Sequence, residues 1–240
     1  MPKAGDSLTT RITDNAAPPT PPYTYKYDFT TGTYSGQAAT VGTLSVSGAT
    51  VGQSGQFPVI YLDPATGLPF PGQTNSGNAA DTVTTFDPPD WQARVANAGI
   101  PGGGSGLIAV TATVTGKGIT DGFAALGGAT ALVLKYEFKV NRDANEAVTV
   151  PAGTFANTCK FRVEFTIKQF QIVGPAASSP LLAILQDTLV SAFAAPTKVT
   201  FWTTNAVPFL TPKSVTVITP TGAASVTGTS ELTALVKAAR

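Results

Sequence analysis

Between residues 132 and 170 the chain alternates apolar and polar side chains over two long runs. In the first, Leu134, Tyr136, Phe138 and Val140 fall on one side, and Lys135, Glu137 and Lys139 on the other. In the second, Phe161, Val163, Phe165 and Ile167 oppose Lys160, Arg162, Glu164, Thr166 and Lys168. Successive side chains of a strand point to opposite faces, so a period of two means one face on a core and the other in water. Sheets solvated on one face are characteristically antiparallel. The chain is therefore expected to be mainly β, an antiparallel curved sheet forming a half-barrel or a sandwich. Between the runs lies Val150-Pro151-Ala152-Gly153-Thr154-Phe155. Pro151 removes a ladder donor and ends a strand. Gly153 supplies a turn angle that other residues resist, Thr154 can bond back to the backbone, and Phe155 plugs the core at the corner.

The same pattern recurs along the chain. Residues 3–13 open with a strand, followed by the Pro-rich stretch 16–23. Tyr23, Tyr25, Tyr27 and Phe29 then form one aromatic strand face, read as core-packing rather than sugar-stacking. Further strands are expected near 39–46, 57–62, 107–114, 197–204, 214–219 and 229–236, with a turn at Gly116–Gly118. Ser179 and Pro180 mark the start of an amphipathic helix over about 180–194. Its apolar face carries Leu181, Leu185 and Leu189, joined by Leu182, Val190 and Phe193. The whole reads as a single β-rich domain over 1–240 with a long irregular Pro/Gly/Asp-rich insertion at about 63–106, anchored by Phe86 and Trp91. Loops of that length in a compact domain are usually functional.

The chemical inventory excludes several functions. The 240 residues include no histidine and one cysteine, Cys159, read as a small buried hydrophobe. Ser-His-Asp and Cys-His catalysis are ruled out, as are His- or Cys-based zinc sites. The glycine run 102–106 does not belong to a phosphate loop, because the motif G-x-x-x-x-G-K-[ST] does not occur: Gly116-Lys117 is followed by Gly118, and position 111 is Thr. No enzymatic activity and no cofactor are expected. Charged residues are only 12% of the chain and sum to +1, without a basic cluster, so nucleic acid is not an expected partner. No apolar run approaches the roughly 20 residues of a membrane-spanning helix. A weakly charged surface instead leaves room for an apolar small molecule, a lipid or further copies of the chain.

Carboxylates remain. Glu137, Glu146 and Glu164 read as solvated strand and turn residues rather than a glycosidase pair. Asp63, Asp81, Asp87 and Asp90 cluster in the irregular region; turn formation accounts for them, and calcium, which takes loop oxygens, is the sharper alternative.

The segment 148–165, VTVPAGTFANTCKFRVEF, resembles a motif of an uncharacterised family of exported bacterial β-rich proteins. Val150, Pro151, Ala152, Gly153, Thr154, Phe155, Cys159 and Lys160 carry the likeness, with similar points at Ala4-Gly5-Asp6-Ser7, Trp202, Val207, Lys213 and Glu231-Leu232. The resemblance implies a periplasmic or lipid-anchored domain, somewhat like the lipoprotein-carrier half-barrels, in which a curved sheet wraps a helix and binds an apolar ligand. It implies no catalytic residue. The expected function is a non-enzymatic exported envelope or surface protein, its signal peptide removed ahead of this N-terminus, that binds an apolar ligand or protein partner. The alternative is a self-assembling subunit of an extracellular fibre or layer. The ligand site is expected between sheet and helix or in the 63–106 insertion.

Overall fold

The structure is a computed structural model that describes residues 2–18, 20–48, 57–67, 70, 74–75, 82–91, 94, 106–192, 194–207 and 211–239. Its strands are β1 (Ser7–Asp14), β2 (Tyr23–Tyr34), β3 (Gln37–Ser47), β4 (Phe57–Leu62), β5 (Thr74–Asn75), β6 (Thr82–Asp87), β7 (Gly106–Gly116), β8 (Ala131–Arg142), β9 (Glu146–Val150), β10 (Gly153–Val173), β11 (Thr197–Thr203), β12 (Lys213–Ile218) and β13 (Val226–Val236). Two α-helices are described, α1 (Lys117–Gly122) and α2 (Pro180–Ala192).

Among the described residues, twelve strands follow one hydrogen-bonded path, β4-β3-β2-β1-β13-β12-β11-β10-β8-β7-β6-β5, and β9 pairs with β10 off that path. Every pairing is antiparallel. The sheet is curved but not closed. Its first and last strands in sequence, β1 and β13, pair near the middle of the path, where Leu8 faces Leu235 and Arg11 faces Glu231.

The alternation that defines β8 and β10 holds with one correction. Phe161, Val163, Phe165 and Ile167 lie opposite Arg142, Val140, Phe138 and Tyr136, but the register shifts between Ile167 and Gln169. The extra residue moves the inward set from odd to even numbers, so Phe170 meets Leu134 and Ile172 meets Leu132. A bulge does this because each inserted residue turns all later side chains over. The apolar faces of the two strands thus stay matched from Val163 opposite Val140 to Ile172 opposite Leu132.

Three apolar clusters line the sheet. Leu8, Phe29, Leu62, Val150, Val207 and Leu232 form one, with Tyr27, Ala152 and Phe155 packed on it. Ile108, Val110, Val140, Phe161 and Val163 form the second, covered by Trp91. Ile119 of α1, Ala129, Ile172 and Leu182 of α2 form the third. The aromatic face of β2 enters the first cluster through Phe29 and Tyr27, while Tyr23 and Tyr25 sit half-buried and edge to face at 5.3 Å.

Two stretches differ from the sequence reading. The turn expected at Gly116–Gly118 opens into α1, whose Ile119 is pulled into the third cluster. Within the stretch read as irregular, Thr82–Asp87 forms a strand on β7, with Phe86 opposite Ala112. Phe86 and Trp91 contact each other at 5.5 Å, and Trp91 stacks on Phe138 at 5.5 Å, which anchors this stretch to the second cluster.

Candidate functional site

Helix α2 starts with Pro180, whose fixed φ and missing N–H suit a first turn. The Ser179 carbonyl accepts from Leu182 N and Ala183 N at 3.1 Å each. Two residues fix its inner side. Leu182 is 1% exposed against Ile119, Ala129 and Ile172. One turn on, the Gln186 side-chain oxygen accepts from Ile172 N at 2.7 Å. This turns the neighbouring side outward. Leu181, expected on the buried face, is instead 64% exposed, as is Ile184. The side chains of Leu185 and Leu189, and Phe193, lie outside the described residues.

The outward side borders an open groove of about 460 Å³, lined by Ile184, Asp187, Thr188, Ser191 and Thr221. Thr221 belongs to the β12–β13 connection and donates its hydroxyl to the Ser191 carbonyl at 2.8 Å, tying the loop to the helix end. The volume falls in the usual range of small-molecule sites. Among the described lining residues, Ile184 is the apolar side chain and Asp187 the charged one, with Thr188, Ser191 and Thr221 supplying hydroxyls. The space expected between sheet and helix is filled at Leu182; the accessible apolar surface lies on the helix's far side.

A second cluster is polar. Lys160, Trp202, Lys213, Glu231 and Arg11 are aligned in register across five strands, on the face opposite Phe161 and Phe201. Glu146 reaches this row from β9. Its Oε1 accepts from Trp202 Nε1 at 2.6 Å and lies 3.1 Å from Lys160 Nζ. The indole bond first, and then the lysine, hold the Glu146 carboxyl below its ordinary value. Lys160 also sits 5.4 Å above the Trp202 ring, and Lys213 pairs with Glu231 at 2.9 Å. These contacts join strands and leave no free acid beside a free base. Glu137 pairs with Lys168 at 3.2 Å, and Glu164 lies opposite Lys139 and Lys198.

The calcium candidates are placed as follows. Asp63 accepts from Ala65 N at 2.8 Å and from the Thr66 hydroxyl at 2.9 Å, bonds that form a turn and lower its pKa. Asp87 ends β6 opposite Thr111, and Asp90 pairs with Arg94 at 2.9 Å. Asp81 lies outside the described residues. Among the described residues, no three Asp, Glu or Cys side chains converge on a common point. Cys159 is half-buried against the second cluster, and Arg142 Nη2 donates to its Sγ at 3.1 Å.

The points singled out by the sequence resemblance fall in three places, with Cys159 on the second cluster. Val150, Ala152, Phe155, Val207 and Leu232 share the first cluster, and Lys160, Trp202, Lys213 and Glu231 share the polar row. Gly5 and Asp6 join the same end, Gly5 N bonding the Phe29 carbonyl at 2.7 Å and Asp6 Oδ1 accepting from Ala238 N at 2.9 Å. Sequence spacing could not show this convergence, because Glu146 and Trp202 are 56 residues apart.

The molecule is thus an open, curved antiparallel sheet with a helix seated on one end and an open groove behind that helix. Two solved structures are similar. One is described as an exported protein with a YmcC-like fold from Bacteroides fragilis, at 16% identity over 98% of this chain and 97% of that one, with a TM-score of 0.45. The other is described as a lipoprotein from Parabacteroides distasonis, at 10% identity over 98% and 96%, with a TM-score of 0.37. No family profile and no curated protein matches the chain.

Proposed function

We propose that this is a non-enzymatic, exported envelope protein that binds an apolar ligand, or the apolar face of a protein partner, on the outer side of α2. The observation that carries the reading is the helix itself. Leu181 and Ile184, one turn apart, are each 64% exposed while Leu182 is sealed, and neighbouring exposed apolar side chains mark an interaction surface. Ile184 lines the groove, where Asp187 is the charged group among the described residues. The absence of histidine supports a non-enzymatic role. The pairing of Glu137, Glu146 and Glu231 with lysines supports it too. The low charge and the resemblance at 148–165 support export.

Native mass spectrometry and solvent extraction of protein purified from a bacterial envelope test this reading. The expected result is a lipid-like adduct that is lost in Ile184→Asp. Bare protein with a blank extract overturns the ligand-binding reading.

A further inference from the structure

Arg142 takes a place that the strand pattern gives to an apolar side chain. Along β8 the side turned to the core carries Phe138 and Val140, and Arg142 is next in that set, directly opposite Phe161. Its guanidinium carbon lies 5.9 Å from the centre of the Phe161 ring. The cations Lys139, Lys160, Arg162, Lys198 and Lys213 fall on the opposite face of the sheet. Arg142 is therefore a half-buried positive charge at the edge of the second cluster, which also carries the partly buried Cys159 and Phe201.

No carboxylate answers that charge among the described residues. Asp143 follows Arg142 in sequence but turns to the other face, where its Oδ1 accepts from Arg162 Nε at 3.1 Å and from Arg162 Nη2 at 2.7 Å. Arg142 donates from Nη2, to Asn145 Oδ1 at 3.3 Å and to Cys159 Sγ at 3.1 Å. Neither acceptor is a carboxylate, and sulfur is a weak one. The donors on Nε and Nη1 make no hydrogen bond among the described residues. A cation drawn out of water is costly unless an anion and further hydrogen bonds offset the loss. The planar fork of a guanidinium suits a carboxylate or a phosphate, two oxygens at a time.

The surface beside the guanidinium is apolar. Phe161 stacks on Phe201 at 5.2 Å, and two residues along the same face Val163 pairs with Val199. Phe201 and Val199 are only half-buried. From Phe201 the row runs on to Ser214 and Ser230, whose small side chains rise less from the sheet than the phenyl ring does. A run of methylenes can lie over Phe201 and Val199 while an acidic end reaches Arg142.

We propose that Arg142 anchors the acidic head of an amphiphile, a carboxylate or phosphate group, whose apolar chain lies along Phe201 and Val199. This inference does not rest on the groove behind α2.

Titration with dodecyl phosphate and with dodecanoate, each below its micelle concentration, tests the proposal, with dodecyltrimethylammonium as the oppositely charged control. The readouts are the Arg142 Nε–H resonance and the Phe201 and Val199 amides. Both anionic probes are expected to give saturable shifts at all three, and the ammonium probe to leave Arg142 unmoved. The tighter of the two anionic probes identifies the head as phosphate or carboxylate. Arg142→Met keeps an unbranched apolar stem beside Phe161 and is expected to fold, yet to bind both anions at least about tenfold more weakly, as a charge-assisted pair is lost. Arg142→Lys, which keeps the charge without the fork, is expected to recover part of that affinity. Ile184→Asp is expected to retain the shifts, which separates this site from the groove. No saturable shift in the parent, equal shifts at Arg142 with the ammonium probe, or undiminished affinity in Arg142→Met overturns the proposal.

Discussion

The orientation of α2 decides whether its outer face is available, and two adjacent leucines measure it. Leu182 is 1% exposed among Ile119, Ala129 and Ile172. Leu182→Ala removes three buried carbons, worth about 2.4 kcal/mol at about 0.8 kcal/mol each. The unfilled cavity adds up to about 2 kcal/mol, since the surrounding elements relax only in part. The expected loss is about 2.5–4.5 kcal/mol, a large share of the roughly 5–15 kcal/mol that stabilises a typical fold. At this chain length it corresponds to a fall in Tm of about 5–18 °C. Leu181 is 64% exposed, so Leu181→Ala should stay within about 0.5 kcal/mol of the parent. Urea unfolding of both variants with unchanged slope gives the comparison directly. Equal losses at the two positions would refute the helix orientation and remove the basis for a site behind α2.

Further predictions concern other parts of the fold. Gly174 has a φ of 121°, and a Cβ there would stand 2.9 Å from Thr130 N and 3.2 Å from Ala129 Cα, so Gly174→Ala should cost at least about 2 kcal/mol in thermal unfolding. Gly153 has a φ of 134° with nothing within 4 Å of an added Cβ, so Gly153→Val should cost about 1–3 kcal/mol from backbone strain alone; wild-type stability would refute the turn. The Glu146 carboxyl is held below its ordinary value near 4.5 by the Trp202 bond and Lys160. Its folded pKa is lower than its unfolded one, so its contribution is complete above the unfolded value and is lost as pH falls through the folded value. Urea midpoints taken between about pH 6 and 3 should therefore fall less steeply in Trp202→Phe than in the parent. An unchanged slope would remove the indole as the main cause.

What the sequence shows and what it hides follow from the range of the interactions. The strands β8 and β10 were readable because alternation is local and long enough to exclude a helix. The bulge at residues 167–169 was not, because it matters only through the register with β8. α1 is six residues long and holds its place through one inward side chain, Ile119, so it left no periodic trace. β6 is a Thr-rich six-residue run among turn formers, and pairing with β7 rather than its own pattern makes it a strand. The existence of α2 was legible from Ser179, Pro180 and the leucine spacing. Its rotation was not, because Leu181 and Leu182 are adjacent apolar residues on different sides, and the pattern alone does not say which of them meets Ile172. The bond from Trp202 to Glu146 spans the fold, and its local sign was that both lay near segments with a family likeness.

The groove behind α2 is the central claim, and amide chemical-shift mapping with dodecanoate as an apolar probe tests it most directly. The account predicts saturable shifts at Ile184, Asp187, Thr188, Ser191 and Thr221, abolished by Ile184→Asp and retained in Leu8-end variants such as Gly153→Val. Shifts confined to the first cluster around Leu8 and Leu232, or no saturable shift anywhere, would contradict it.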